Sequence, residues 1–377
     1  MKILHCADSH LGFSAYRRVS ESGVNVRELD VYEAFSSLVD RILKLKPDVV
    51  IHAGDLFDGV RPNNRALSLA LEQLLRLDAA GIPLVLVAGN HETPRLRETG
   101  HIFKVFEHLK NVYAVFERYE QICFEFEGKK VVVHGLPHMR NRQEFEVELS
   151  RISPVESADV NVLVAHGGVI EIPEFSMHES NEALLPVEHF ESLFDYVALG
   201  HYHNYAVVNA RGNVVYSGSL EQLSFAEANA QKGFVLASFE KTSGLSTRFI
   251  ECAVRGMIDC PPIRCENLDA KAVMKQVFGL LDSFDCKGKM VRLRLEEISS
   301  SVYRGLDLQA VRKKAASSLH LEIRAEVVRE GVRRLSGDQR LESLSEEWKS
   351  FVGKKKEKNL ASLKSLGLQY ISRVEEG

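Results

Sequence analysis

An α/β fold followed by a small α+β module and a helical tail is what the sequence predicts, on three observations. Six short apolar runs, at residues 2–7, 48–53, 83–88, 130–135, 160–165 and 196–200, read as strands buried on both faces. Between the early runs lie stretches with apolar residues at helical spacing, which is the alternation of a parallel sheet. Polar clusters stand just past the C-terminal ends of five runs, the edge at which open α/β sheets bind ligands.

Taken in order, the first helical stretch, 31–46, brings Phe35, Leu38, Val39, Ile42 and Leu43 to one face, and the second, 65–80, does so with Leu67, Leu71, Leu74 and Leu75. After Gly200 strand-like segments follow at 205–208, 213–217, 233–239 and 247–252, with turn signals at Arg211-Gly212-Asn213 and Ser243-Gly244, so the sheet is expected to finish in antiparallel strands. Cys260-Pro261-Pro262 marks a boundary, because two consecutive prolines remove two backbone donors and stiffen the chain. Beyond it, helices are expected at 271–283 and 306–319 and strands at 290–295 and 321–328. From residue 337 two apolar stripes follow, Leu341, Leu344, Trp348 and Phe351, then Leu360, Leu363, Leu366 and Tyr370, separated by Gly353-Lys354-Lys355-Lys356. The expected domains are therefore 1–260, 261–336 and 337–377.

Composition narrows the class. Of 377 residues, 45% are apolar and 27% charged, which excludes a disordered chain, a collagen-like repeat and a disulfide-stapled miniprotein. Forty-eight Lys and Arg against 52 Asp and Glu give a net charge of -4, so any nucleic acid must be held by local patches. Six cysteines without CxxC spacing read as reduced thiols. No window approaches eighteen uncharged apolar residues, so a soluble, cytoplasmic protein without membrane contact is expected.

The five clusters are Asp8-Ser9-His10, Gly54-Asp55-Leu56-Phe57-Asp58, Gly89-Asn90-His91-Glu92, His166-Gly167-Gly168 and Gly200-His201-Tyr202-His203. They offer carboxylate, amide and imidazole donors and no thiolate, a set suited to divalent Mn, Fe or Zn. Two ions clamp the attacking and leaving oxygens of a phosphoryl displacement. Asp8, His10 and His203 would hold one, Asn90, His166 and His201 the other, and Asp55 would bridge. The charge surplus of two divalent ions over two aspartates implies an anionic substrate. Gly54, Gly89, Gly167 and Gly200 are expected to let the chain turn sharply beside the ligands. His91, directly after Asn90, is the expected general acid.

These clusters resemble the calcineurin-like metallophosphoesterases over about residues 1–250. Leu11-Gly12, the phrase Ala198-Leu199-Gly200-His201-Tyr202-His203, and Tyr216-Ser217-Gly218-Ser219-Leu220-Glu221 with Phe225-Ala226-Glu227 look like the SbcD branch, prokaryotic relatives of the meiotic-recombination nuclease. The resemblance implies a four-layer fold with paired central sheets, a dinuclear, Mn-loaded site, and nuclease activity in double-strand-break repair. It further implies a homodimer, a DNA-contacting capping domain, and a C-terminal helical tail that docks an SMC-like ATPase of the SbcC type. Asp58 stands where archaeal members often carry His, and Ala226 where Gly is usual.

Plainer readings stand beside these. Asp58 is either a catalytic group that helps hold the scissile phosphate or, like Glu92, a turn cap that orients a neighbouring imidazole. His5, His52 and His134 lie on strands as core or supporting residues, and His138 and His178 are loop residues without an assigned role. Arg17, Arg18, Arg61, Arg65, Arg95 and Arg97, with Arg140 and Arg142, are either a solvated face or contacts to a DNA backbone. The tail either packs on its own chain or fills a partner's groove. The rival functions are a phosphoesterase for small molecules or phosphoproteins and an architectural DNA-tethering subunit.

Overall fold

The computed structural model describes residues 1–170, 183–240, 244–328, Trp348, Val352 and 360–375. Residues 1–327 form one compact unit and 328–377 a second.

Two six-stranded sheets make the centre of the first unit. One runs in the order Gly244–Glu251, Gly233–Glu240, Lys2–Cys6, Val49–Ala53, Leu84–Val87, Val112–Val115. The other runs Ala206–Val207, Val214–Tyr216, Tyr196–Gly200, Val160–His166, Lys129–Leu136, Glu120–Phe126. Period-two alternation sorts their side chains into three cores. Ile3, Ile51, Val85, Val133, Val162 and Ala198 lie in the core shared by the facing sheets. Leu4, Val50, Leu84 and Leu86 point the other way, onto helices Val26–Leu45 and Asn64–Ala79. Leu163, Val197 and Leu199 pack outward against Phe145, Val187 and Phe190 of helices Arg142–Ser150 and Val187–Glu191. The result is the four-layer α/β/β/α arrangement, with both sheets buried on two faces as their continuous apolar runs require.

The expected antiparallel finish holds at an edge of each sheet, with Ala206–Val207 antiparallel to Val214–Tyr216 in the second. Gly233–Glu240 pairs antiparallel with both Lys2–Cys6 and Gly244–Glu251. Val214–Tyr216, by contrast, joins the second sheet and runs parallel to Tyr196–Gly200. Hydrophobic runs state that a segment is buried, not which of two sheets buries it.

The first helix begins at Val26, five residues before the apolar periodicity suggests. Asn25 caps it by accepting from the N–H groups of Arg27 and Glu28. Its first turn is polar yet buried: Arg27 donates to Asp30 at 2.6 Å and to the Gln222 carbonyl at 2.5 Å. Charges buried in a hydrogen-bonded network conceal a helix start from any hydrophobic count.

A third sheet contains Met257–Asp259, Ile263–Arg264, Met290–Ser299 and His320–Val328 over its own core of Cys260, Val273, Val277, Leu281, Val291, Leu293 and Ile298. Met257–Asp259 pairs parallel with Met290–Arg292, so the sheet starts before the expected break at 260, and Pro261-Pro262 lies between two of its strands, where no ladder donor is needed. Arg255 ties this sheet to the first helix through a two-pronged pair with Asp30, at 2.7 and 2.8 Å. The helix expected over 306–319 is only Leu308–Lys314, capped by Asp307.

In the second unit, helix Leu360–Glu375 carries Leu363, Leu366 and Tyr370, all more than half exposed. The Trp348 indole donates to the Lys364 carbonyl at 3.3 Å. Leu341, Leu344 and Phe351 lie outside the described residues, as does His178. All six cysteines are free thiols. Among the described residues no helix is long and apolar enough to cross a membrane.

Candidate metal centre

The five clusters meet at one edge of the paired sheets because they end adjacent parallel strands. Their loops are zipped to each other by backbone bonds: Asp8 N–H to Gly54 O (3.0 Å), His10 N–H to Asp55 O (3.0 Å) and Leu11 N–H to Leu56 O (2.8 Å). Asp8, His10, Asp55 and His201 all adopt positive φ, between 45 and 101°, a conformation non-glycine residues hold only where the surroundings over-determine it. Such strain concentrates at functional sites.

The neighbouring glycines act mainly by close approach. At Gly54, with φ +93°, a Cβ would stand 2.1 Å from His166 Nδ1; at Gly89 it would meet Asp55 Oδ1 at 2.1 Å. Gly167 and Gly200 have no positive φ, so their expected role in sharp turning gives way to proximity: a Cβ would strike the carbonyls of Ala183 and Ala53.

Proton bookkeeping defines the site. His10 Nδ1 lies 3.2 Å from the Asp58 carboxylate and His203 Nδ1 3.3 Å from Glu227 Oε1, so each ring presents a bare Nε2, and the two Nε2 atoms face each other at 3.2 Å. His166 Nδ1 donates to Ala53 O at 2.9 Å, which points its Nε2 at Asn90 Oδ1 (2.9 Å) and Asp55 Oδ2 (3.3 Å). His201 Nδ1 lies 3.1 Å from the same Asn90 oxygen. Imidazole nitrogens, carboxylate oxygens and an amide oxygen converge here, a set of ligand atoms that a cation satisfies. Among the described residues, three trios have donor atoms within 4.8 Å of one another: Asp8, His10, His203; His10, Asp55, His91; and Asp8, Asp55, His166. Asp55 Oδ2 is 3.7 Å from His10 Nε2 and 3.3 Å from His166 Nε2, within reach of both groups.

The field is anionic. Burial opposes protonation of His166, yet the Asp55 carboxylate outweighs it and raises the imidazole to about 9. Burial, then the Asp55 charge, pushes Glu92 up to about 8. The residues present fit two divalent ions: nitrogen and oxygen donors, trios that overlap at Asp8, His10 and Asp55, and two buried aspartates to balance the charge.

His91 stands at the rim, 30% exposed, with Nδ1 3.1 Å from the Asp58 carbonyl and Nε2 3.9 Å from Asp55 Oδ2. Its backbone N–H donates to Asp55 Oδ1 at 2.9 Å.

Several supporting residues escape the sequence. Glu227 holds His203, and the fully buried Lys232 holds Glu227, the His203 carbonyl (2.7 Å) and Ser219 Oγ (2.9 Å). Burial alone would raise Glu227; the His203 bond and the Lys232 charge bring it down to about 2. Glu92 Oε1 accepts from Gly89 N–H (2.8 Å) and Asp55 N–H (3.1 Å), bracing two ligand loops. His5 and His134 satisfy tyrosine hydroxyls, and His52 bonds Ser9. The phrase Tyr216 to Glu227 signalled part of this as a resemblance, and the supporting readings of His5, His52, His134 and Glu92 came from their places in the sequence, whereas Lys232 carried no signal.

Among the arginines, Arg17, Arg18, Arg61 and Arg95 are exposed. Arg65 is engaged by Glu28 at 3.1 Å, Arg140 donates to the carbonyls of Thr93 and Asn90, and Arg142 pairs with Glu146. The Arg97 side chain lies outside the described residues.

The calcineurin-like phosphoesterase family model matches residues 1–205. This chain belongs to that family. As a calcineurin-like metallophosphoesterase it is a metal-dependent phosphodiesterase. The metallophosphoesterase is also 30% identical, over 294 residues covering 74% of each chain, to the DNA double-strand break repair protein Mre11 of Methanococcus maripaludis. The protein of that name from Sulfurisphaera tokodaii is 28% identical over 78% of this chain and 68% of its own. That from Methanocaldococcus jannaschii is 31% identical over 63% of each.

Proposed function

We propose that this metallophosphoesterase is a Mn-dependent DNA nuclease of double-strand-break repair, cleaving phosphodiesters at ends or hairpins in company with an SMC-like ATPase. The observation that carries the reading is the double set of converging acceptors joined by Asp55, in a chain whose curated relatives are named for break repair. Asp8, His10 and His203 would hold one ion and Asn90, His166 and His201 the other, with Asp55 common to both. Two divalent ions supply Lewis-acid stabilisation of a phosphoryl group and of the oxygens that attack and leave it.

The chain's own groups do the rest. Asp58 and Glu227 keep their protons on the far nitrogens of His10 and His203, so both rings offer lone pairs. Asp58 thus acts as a positioning residue through His10. His91, with Nδ1 held against the Asp58 carbonyl, delivers a proton from Nε2 to the departing oxygen. Arg17, Arg18, Arg61 and Arg95 would bind backbone phosphates without reading sequence. Residues 1–260 would carry hydrolysis, 261–336 would cap the DNA, and 337–377 would dock the ATPase; assembly as a homodimer and a nucleoid-associated cytoplasmic location go with this reading.

The test is to offer end-labelled duplex, hairpin and single-stranded DNA beside bis(p-nitrophenyl) phosphate, with Mn and separately with Mg. Selective DNA products with Mn are expected. Hydrolysis of the small diester alone would favour a small-molecule enzyme, and DNA binding without products a tethering subunit.

A further inference from the structure

Residues 221–228 touch the metal centre on one side and the third sheet on the other. Within them the 3₁₀ turn Phe225–Glu227 joins a support of the metal centre to a contact with that sheet. Glu227 Oε1 lies 3.3 Å from His203 Nδ1, and the carboxylate is itself fixed by Ser224 Oγ (3.1 Å), the Leu223 N–H (3.2 Å) and Lys232. Phe225 is buried against Met257 and Met290 of the third sheet, with Leu319 beside them. The Arg292 guanidinium, held by Asp259 at 2.7 and 2.9 Å, stands 4.7 Å from the centre of the Phe225 ring. The Met257 N–H donates to Gln222 Oε1 at 3.0 Å, so a hydrogen bond pins the same segment to the same sheet.

A second stretch of chain arrives at the same place. The loop after His10 passes through Tyr16 and Arg17, both at positive φ, 61 and 52°, a conformation that packing must enforce in non-glycine residues. It brings the Tyr16 ring edge-on to Phe225, with centroids 5.8 Å apart, and 4.8 Å from the ring of His320 in the third sheet. Asn25, the cap of the first helix, holds the loop there by donating to the Ala15 carbonyl at 2.9 Å. His10 and His203 belong to one donor trio with Asp8, so two of its three members lead to the Phe225 cluster, one along the chain and one through Glu227. Among the described residues, the loops that carry Asn90 and His166 supply no member of that cluster.

A 3₁₀ turn rises about 2 Å per residue, so Phe225 and Glu227 stand roughly 4 Å apart along it and move together. Ala226, between them, lacks the backbone freedom of a glycine. At 3.3 Å the bond from His203 to Glu227 has little slack, and a retreat of about half an ångström takes it out of hydrogen-bond range. We infer that Phe225 is a positioning residue: the seating of the third sheet against it sets the grip of Glu227 on His203, and with it the affinity of the Asp8, His10 and His203 group for its ion. The inference rests on the two-ion reading and adds regulation to it, since DNA that shifts the third sheet changes the occupancy of one ion site more than the other. By reciprocity, an ion in that site steadies the sheet.

Calorimetric titration of the full chain with Mn alone, without DNA, tests it. The wild-type chain should show two binding events, and Phe225→Ala should weaken one of them about 10- to 100-fold while changing the other by less than about threefold. Phe225→Leu, which restores apolar contact with Met257 and Met290, should recover most of that loss. Tyr16→Ala should weaken the same event, and its half-buried position keeps it informative should Phe225→Ala fail to fold. Val277→Ala loosens the core beneath the third sheet, apart from the Phe225 cluster, and should leave both events as they are. Undiminished events in folded Phe225→Ala or Tyr16→Ala, a loss that Phe225→Leu does not recover, or an equal loss in Val277→Ala overturns the inference. Absence of Mn binding by the wild-type chain removes the two-ion reading and the inference together. The expected Mn losses without DNA products sink the nuclease reading alone; DNA cleavage with undiminished Mn events in the variants sinks the positioning role alone.

Discussion

His10 Nε2 faces His203 Nε2 at 3.2 Å although 193 positions separate the residues in the chain. Each ring gives its other proton to a carboxylate, Asp58 or Glu227, so two lone pairs are held together by surrounding structure rather than by attraction. A cation between them would turn this repulsive contact into a favourable one, with the two acidic partners fixing which nitrogen of each imidazole faces it.

Asp55→Asn should impair metal binding more than loss of any ligand that serves one ion, because Asp55 lies within reach of both donor groups and its charge offsets theirs. Metal titration by calorimetry checks this. Two undiminished binding events would remove the bridging role.

His91→Ala should keep its metals and lose about 10²- to 10⁴-fold in turnover, the scale of general-acid assistance. Because His91 belongs to one of the three donor trios, metal content measured on the same variant is decisive. A lost ion would make His91 a ligand.

Lys232→Met should destabilise the fold by roughly 3–5 kcal/mol, since it takes the buried ammonium away from the buried Glu227 carboxylate. Metal affinity should also fall by about 10- to 100-fold as Glu227 loses its hold on His203. Denaturant melts and metal titration of one preparation measure both. A stable variant with wild-type affinity would contradict the network.

In the third sheet, Asp259 accepts from Arg292 at 2.7 and 2.9 Å, and this bond holds its carboxyl below the ordinary 3.8. A depressed folded-state pKa contributes stability above the unfolded value and loses it as pH falls through the folded one. Asp259→Asn should therefore lower the melting temperature at pH 7, with the difference shrinking below about pH 4 and vanishing in stronger acid. A difference independent of pH would assign the effect to packing.

Removal of residues 337–377 should abolish co-purification with an SMC-like ATPase and leave metal binding unchanged, because every proposed ligand precedes residue 204. Trp348→Ala is the milder form, and the lone indole gives a fluorescence signal on docking. Retained co-purification would assign the apolar stripes to packing within the chain.

What the sequence determined by itself is local and periodic. The runs ending at Ala7, Ala53, Ala88, Ala165 and Gly200 state that they are buried strands, and the polar residues after each state where donors will gather, since side-chain direction follows from spacing within one element. Even helix starts were legible only where periodicity was apolar, so the charged first turn at Arg27 and Asp30 was missed. The tertiary structure alone decided which far-apart groups face one another: Glu227 behind His203, Lys232 beneath both, Glu92 joining the loops of Gly89 and Asp55, Arg65 and Arg140 already engaged by the chain, and Phe225 against Met257 and Met290. Such partners share no element, so no spacing encodes them. Chain crossing from sheet to sheet sets their distances, and with them the protonation and lone-pair directions from which the chemistry follows.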